Sequence, residues 1–189
     1  MLNATELLQL MRDQGHRAYD GEGVSQLQHA WQCARLAQRA NATPALQLAA
    51  WLHDIGHLLA ALPGTPTLHG VDDTHEAIGA AALLPPFGSD VAAPVGLHVA
   101  AKRCLVATRP GYSEALSADS VRSLGLQGGP MSADECAAFV AQPQARDALR
   151  LRVWDDLAKD ADWQPLSVDS ALQELAALMA EVGAVAGRR

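Results

Sequence analysis

Strand-forming residues, thiolate motifs and positive charge are all scarce in this sequence. Aromatic residues account for 4% of the 189 residues, and Ala and Leu far outnumber β-branched residues, which favours helices over strands. The three cysteines, Cys33, Cys104 and Cys136, have no Cys-x-x-Cys spacing, which argues against a thiolate-rich zinc site and indicates reduced thiols. The net charge of −7 argues against a nucleic-acid partner, because a phosphate backbone selects basic surfaces.

Long apolar runs are also missing. None reaches the ~20 residues of a membrane span, and the N-terminus lacks the basic and apolar regions of a signal peptide. We therefore expect no membrane partner and a cytoplasmic location. The length and the 49% hydrophobic content suit one domain with a substantial core. The prediction is a single all-α domain over residues 1–189, with a frayed tail at 187–189.

Helices are predicted where apolar residues recur at helical spacing behind a capping residue. Ser132 and Glu135 resemble a capping box, Pro44 suits a first helical position, and Pro85-Pro86 are expected to end a helix. The predicted helices cover residues 3–14, 25–40, 44 through the motif at 53–57, 75–84, 89–103, 118–124, 133–140, 143–160 and 167–184.

The motif His53-Asp54-Ile55-Gly56-His57 follows an apolar, helix-forming stretch. We therefore predict that His53 and Asp54 are neighbours on one helix, with His57 one turn further on the same face. Imidazole nitrogen and carboxylate oxygen both bind first-row transition metals. Taken alone, the motif is explained equally well by a polar helix end whose partners are satisfied.

Other residues that can bind a metal favour the metal site over the polar helix end. His29 lies on an otherwise apolar helical stripe, where a lone histidine is more often part of the core. Together, however, the predicted helices bring four of the seven histidines and two aspartates into one candidate set, and nitrogen and oxygen donors without cysteine suit two metal ions that share a carboxylate. The candidate ligands are His29, His53, Asp54, His75, His98 and Asp155. His16 and His69 lie in Gly- or Pro-rich segments and are not expected to be ligands.

This pattern resembles the HD-domain superfamily of all-α metalloproteins. Four additions narrow the resemblance: Tyr19-x-x-Glu22 ahead of His29, His57 after the motif, Lys102 after His98, and Arg152 before Asp155. With them the chain looks like the phosphonate-cleaving diiron oxygenases of organophosphonate catabolism. Those relatives act on 1-hydroxy-2-aminoethylphosphonate or its trimethylammonium counterpart. The resemblance spans residues 19 to 160.

The resemblance implies two irons, in the mixed-valent Fe(II)/Fe(III) state, with dioxygen as co-substrate. Asp54 would bridge the irons. The remaining ligands would divide between them, with His29, His53 and Asp155 on one and His75 and His98 on the other. Oxidative cleavage of the C–P bond would release phosphate and glycine or glycine betaine.

It also implies roles for residues that are not ligands. Tyr19 and Glu22 would form a lid, in which the Tyr occupies an iron position until substrate displaces it. Lys102 and Arg152 each lie about one helical turn from a candidate ligand, so both cations would face a phosphonate dianion. Ser120 and His57 are further candidates for phosphonate contacts.

Two other functions stay open from the residues alone. An HD-family phosphohydrolase acting on a nucleotide or phosphate monoester would use the same ligands for two divalent metals and a hydroxide. A metal-stabilised binding domain without activity is the third hypothesis, and the complete ligand set argues against it. Tyr19 and Glu22 favour the oxygenase over the hydrolase, since a hydrolase has no evident need of a Tyr that caps an iron.

Overall fold

The computed structural model describes residues 2–19, 22–60, 62 and 65–186. Within these ranges the chain forms α-helices and two short 3-10 turns, with no strand, which confirms the all-α prediction. The helices are α1 (Ala4–Gln14), α2 (Gln26–Arg39), α3 (Pro44–Leu52), α4 (Ile55–Ala60), α5 (His75–Phe87), α6 (Ser89–Thr108), α7 (Ala118–Leu126), α8 (Ala133–Val140), α9 (Ala145–Leu157) and α10 (Val168–Ala186).

Capping residues explain where several helices begin. Asn3 and Ser132 both form complete capping boxes, at the starts of α1 and α8. The side chains of Ser25 and Thr43 accept backbone N–H bonds at the starts of α2 and α3, and Pro44 occupies the first turn of α3. These starts agree with the predictions from the sequence.

The metal-type residues lie where α3 and α6 meet the other core helices. α3 is almost entirely buried and packs against α2, α6, α9 and α10, while α6 packs against α5 and α9. By length and composition α6 could cross a membrane, but half of its apolar window is buried within the fold. It also carries His98 and Lys102, both buried. The apolar character of α6 therefore matches its place among the core helices.

The prediction of one continuous helix through the His-Asp motif is wrong. α3 ends at Leu52, His53 and Asp54 form the turn that follows, and α4 begins at Ile55. Gly56 explains why the second helix can take its position. A Cβ atom at Gly56 would lie 2.0 Å from the carbonyl oxygen of His75, so only glycine allows the two segments to approach this closely.

The prediction that Pro85-Pro86 ends a helix is also wrong, because α5 continues through both prolines to Phe87. Each proline removes one i→i−4 hydrogen bond but has a φ that suits a helix, and α5 ends one residue after Pro86. α6 extends five residues beyond its predicted end at residue 103. The predicted tail at 187–189 lies outside the described residues, and the single-domain organisation stays a prediction.

Candidate metal centre

Four buried side chains converge between α2, the turn after α3 and α9. The Nε2 atoms of His29 and His53 lie 3.2 Å apart. Asp54 Oδ2 lies 3.2 Å from His53 Nε2 and 3.5 Å from His29 Nε2, and Asp155 Oδ1 lies 3.4 Å from His29 Nε2. These donor atoms are all close enough to surround one ion.

A second group of donors shares Asp54 with the first. His75, at the start of α5, and His98, in the middle of α6, bring their Nε2 atoms within 3.1 Å of each other. Asp54 Oδ1 lies 3.6 Å from His75 Nε2 and 3.7 Å from His98 Nε2. One carboxylate oxygen of Asp54 therefore faces each histidine pair.

The other ring nitrogen, Nδ1, of each of these four histidines lies within hydrogen-bond distance of an acceptor oxygen. The Nδ1 atoms of His29, His53 and His98 lie 2.9, 3.0 and 2.7 Å from the backbone carbonyls of Ala158, Ala50 and Val95, and His75 Nδ1 lies 2.8 Å from Asp73 Oδ1. Such partners keep the proton on Nδ1 and leave a lone pair on Nε2.

When the imidazoles are neutral, two lone pairs within each pair thus face each other and cannot form a hydrogen bond. Asp54 Oδ2 is likewise buried without a hydrogen-bond partner among the described residues. A cation between each pair would satisfy all of these atoms. The donor set therefore fits two metal ions that share Asp54, and neutral imidazoles with carboxylates suit iron among the transition metals.

The surroundings keep both carboxylates ionised. Burial opposes the charge of Asp54, but the imidazoles of His53 and His29 beside it, when they are protonated in the absence of a metal, hold its pKa well below the usual range. Burial also opposes the charge of Asp155, and the Arg152 guanidinium, 2.7 Å away, holds the pKa of this carboxyl well below the usual range. Both groups are therefore acceptor-only at neutral pH.

Two buried cations border the centre. Arg152 forms ion pairs with Asp155 and Asp156, donates to the Ser120 hydroxyl at 3.3 Å, and keeps its buried Nε without a partner among the described residues. Lys102 is 2% exposed and donates to Ser123 Oγ at 2.7 Å. Burial, with a contribution from Arg152, lowers the pKa of Lys102 to about 8.

The two lid candidates lie in different places. The Tyr19 ring stacks on the His29 ring with centroids 3.9 Å apart, and its hydroxyl donates to Asp155 at 3.4 Å. Burial, together with Asp155, raises the pKa of Tyr19 well above its usual value. The Glu22 carboxylate belongs to none of the metal-capable groups in the described residues and pairs with Lys159 at 2.9 Å.

The three remaining histidines differ in their contacts and exposure. His57 stacks on His75, with ring centroids 3.9 Å apart, and its Nδ1 lies 2.5 Å from Asp73 Oδ2. His16 and His69 are exposed and belong to none of the metal-capable groups in the described ranges.

Sequence reasoning missed three residues at this site. Asp73 joins His57 to His75, and its place two residues before His75 was the available signal. Ser123 follows Ser120 by three residues on α7, so both face the same way, yet Ser123 is the one that lines the cavity beside the metal-type residues. Lys159 lies just beyond α9 and carried no recognisable motif.

Known proteins with similar sequences carry informative names. No protein-family model matches the chain. Hydroxymethylphosphonate dioxygenase of Gimesia maris is 45% identical over 156 residues, which cover 82% of this chain and 77% of that protein. The chain belongs to the hydroxyphosphonate dioxygenase family. Another member, the glycine-betaine-forming 1-hydroxy-2-(trimethylamino)ethylphosphonate dioxygenase of Leisingera caerulea, is 38% identical over 154 residues, covering 79% of this chain and 76% of its own.

A third relative, an uncharacterized protein of Acanthamoeba polyphaga mimivirus, is 35% identical over 159 residues, or 83% of this chain and 73% of that protein. Membership of the dioxygenase family confirms the resemblance that the sequence predicts. The protein is an oxygenase, and the hydrolase alternative is not favoured.

Proposed function

We propose that the protein uses dioxygen to cleave the C–P bond of a small 1-hydroxyalkylphosphonate. The observation that carries the proposal is the arrangement of two histidine pairs around Asp54. The Nε2 atoms within each pair face each other, and Asp54 Oδ2 has no hydrogen-bond partner among the described residues, so a metal ion would satisfy these atoms. The names of the two characterised relatives support the choice of substrate class.

Two iron ions held in this centre would supply the binding and reduction of dioxygen. Their proposed ligands are His29, His53 and Asp155 on one iron, His75 and His98 on the other, and Asp54 between them. The mixed-valent Fe(II)/Fe(III) state is part of the proposal. In the balanced reaction, a 1-hydroxyphosphonate dianion and dioxygen give a carboxylate, hydrogen phosphate and one proton. Both oxygen atoms are incorporated, so no external reductant is needed.

The two buried cations would hold the phosphonate. Lys102 has no carboxylate in an ion pair with it in the described part of the chain, and Arg152 keeps one free N–H donor. Charge-assisted bonds from both groups would neutralise the dianion and fix it beside the metals. Ser120 would orient Arg152 rather than contact substrate, since its hydroxyl already accepts from the guanidinium.

Tyr19 would close the site. Its stacking on His29 and its bond to Asp155 put the phenol against two proposed ligands of one iron. Substrate would have to displace the ring to reach the metals. His57 would act through Asp73, which orients the ring of His75. The three cysteines are free and buried, which fits the cytoplasmic location that we propose.

The deciding experiment incubates iron-loaded protein with hydroxymethylphosphonate, 1-hydroxy-2-aminoethylphosphonate and its trimethylammonium counterpart, with and without dioxygen. Phosphate and the matching carboxylate (formate, glycine or glycine betaine) are assayed together. The proposal expects both products in equal amounts and only when dioxygen is present. Phosphate release from ordinary phosphate esters under nitrogen, with none from the hydroxyphosphonates in air, would contradict it.

A further inference from the structure

The cavity at the candidate metal centre is small. The cavity beside the metal-type residues has a volume of about 50 Å³. Pockets for drug-sized ligands measure ~300–1,000 Å³. Any substituent on C1 of the substrate would therefore lie close to the side chains that border this cavity. An ammonium at that place would need a carboxylate or an aromatic face as its partner.

The carboxylates that line the cavity in the described part of the chain are already engaged. Asp54 and Asp155 belong to the metal centre, and Asp73 joins two histidines. Asp119, on α7, accepts from Thr67 at 2.5 Å and from Arg122 at 2.9 Å. None of these groups is available to a new cation without breaking an existing contact.

Just beyond Tyr19, three side chains surround an ammonium group that belongs to the protein itself. Lys159 Nζ lies 2.9 Å from Glu22 Oε1 and 3.3 Å from Ser117 Oγ. It also lies 5.8 Å from the centroid of the Tyr19 ring, within cation–π distance. The Glu22–Lys159 pair is well shielded, since the side chains are 15% and 16% exposed. Carboxylate, hydroxyl and aromatic ring are the groups that would bind an ammonium substituent of a substrate.

We infer that Lys159 occupies the cation-binding position of this site, so that the enzyme selects hydroxyphosphonates without a cationic group over those with an ammonium or trimethylammonium at C2. Hydroxymethylphosphonate is the simplest member of the selected class. A 2-ammonio substrate, which the family resemblance implies, has to displace Lys159 or remain unpaired beside it. This inference rests on the proposed function, because it concerns the substrate of the same reaction.

The test measures the ratio of kcat/KM for hydroxymethylphosphonate to that for 1-hydroxy-2-aminoethylphosphonate, with iron-loaded protein in air. One charge-assisted bond is worth at least about tenfold, so the wild-type ratio should exceed about ten. Lys159→Met leaves Glu22 free to pair with the substrate ammonium and should lower the ratio by about tenfold. A wild-type preference for the ammonium substrate overturns the inference.

Further variants separate charge from a general structural effect. Lys159→Arg keeps a cation and should keep most of the wild-type ratio, whereas adding Glu22→Gln to Lys159→Met should abolish the gain for the ammonium substrate. The matched control is Arg35→Met, which removes one cation from an ion pair with Glu174 outside the catalytic cavity and should leave the ratio unchanged. An unchanged ratio in an active Lys159→Met enzyme overturns the role of Lys159.

Two outcomes remain, and each is decisive. If Lys159→Met does not fold, the wild-type ratio decides, and a value below about ten overturns the inference. Release of phosphate from neither substrate, in wild type or variants, rejects the proposed function and this inference with it. Activity on both substrates with the wrong preference rejects the inference alone.

Discussion

Replacing Lys102 by Met should make the protein more stable and less active at once. The ammonium is buried, with 2% of the residue exposed, and its hydrogen bond goes to a neutral partner, Ser123. Burial is the main reason, followed by the nearby Arg152, why the pKa of Lys102 falls from 10.5 to about 8. Holding this charge inside the fold therefore costs stability, while the charge is available to an anion.

The size of the stability effect follows from the pKa change. Between pH 8 and 10.5 the unfolded chain keeps a proton on Lys102 that the folded chain has lost, so stability rises with pH across this window. Below pH 8 both states are charged and the full cost is present. The difference of about 2.5 pH units corresponds to about 3 kcal/mol. Lys102→Met removes this cost and keeps most of the aliphatic stem, so the unfolding free energy at pH 7 should rise by about 1–3 kcal/mol.

The activity should change in the opposite direction. Losing one charge-assisted bond to the phosphonate, worth ~1.5–3 kcal/mol, should lower kcat/KM by about 10- to 150-fold. Because lysine is charged below its pKa, wild-type kcat/KM should also decline above pH about 8, and this decline should be absent in Lys102→Met.

Denaturant unfolding of the iron-loaded proteins at pH 7 and phosphate release at substrate concentrations below KM measure the two effects. Arg35→Met, which removes a partly exposed cation, is the control for loss of charge alone. A variant with unchanged kcat/KM and no gain in unfolding free energy would refute the reasoning.

Three further predictions concern the metal centre. Asp54→Ala should lose both metals, because one of its oxygens faces each histidine pair, and metal analysis that still finds two ions per chain would rule out the bridge. His75→Ala should lower the metal content while His69→Ala, at an exposed position, leaves it unchanged, and equal losses would contradict the assignment. Gly56→Ala should destabilise the fold by about 3 kcal/mol or more, since its Cβ would lie 2.0 Å from the His75 carbonyl; a wild-type unfolding temperature would contradict this.

The metal-type residues could be found from the sequence because each has a distinctive side chain on a segment with clear helical signals. Apolar spacing and caps predict most helix starts, and the candidate ligands converge as two groups around Asp54. The predictions were wrong where the local backbone geometry depends on contacts with residues distant in the sequence. The break after Leu52 is compatible with the close approach of Gly56 to His75, a contact between segments that no local propensity reports.

Hydrogen-bond partners were the other feature that could not be predicted from the sequence. The Lys159–Glu22 pair joins residues 137 positions apart, and nothing at either position reveals the other. The same holds for the tether from His29 to the Ala158 carbonyl, 129 positions away. Residue types therefore indicated the chemistry, whereas the choice among chemically similar substrates depends on long-range pairings that require the folded chain.

Two helices each carry a proposed metal ligand and a proposed phosphonate-binding cation. His98 and Lys102 are four residues apart on α6, and Arg152 and Asp155 are three apart on α9, which sets axial offsets of about 6 and 4.5 Å. These offsets fix how far each cation lies from the metal ligand on the same helix. They therefore limit the distance between the hydroxyl and the phosphonate of a substrate that contacts both. A positional isomer with its hydroxyl on C2 has the same charge and formula but the wrong length, and the site should reject it without any steric clash.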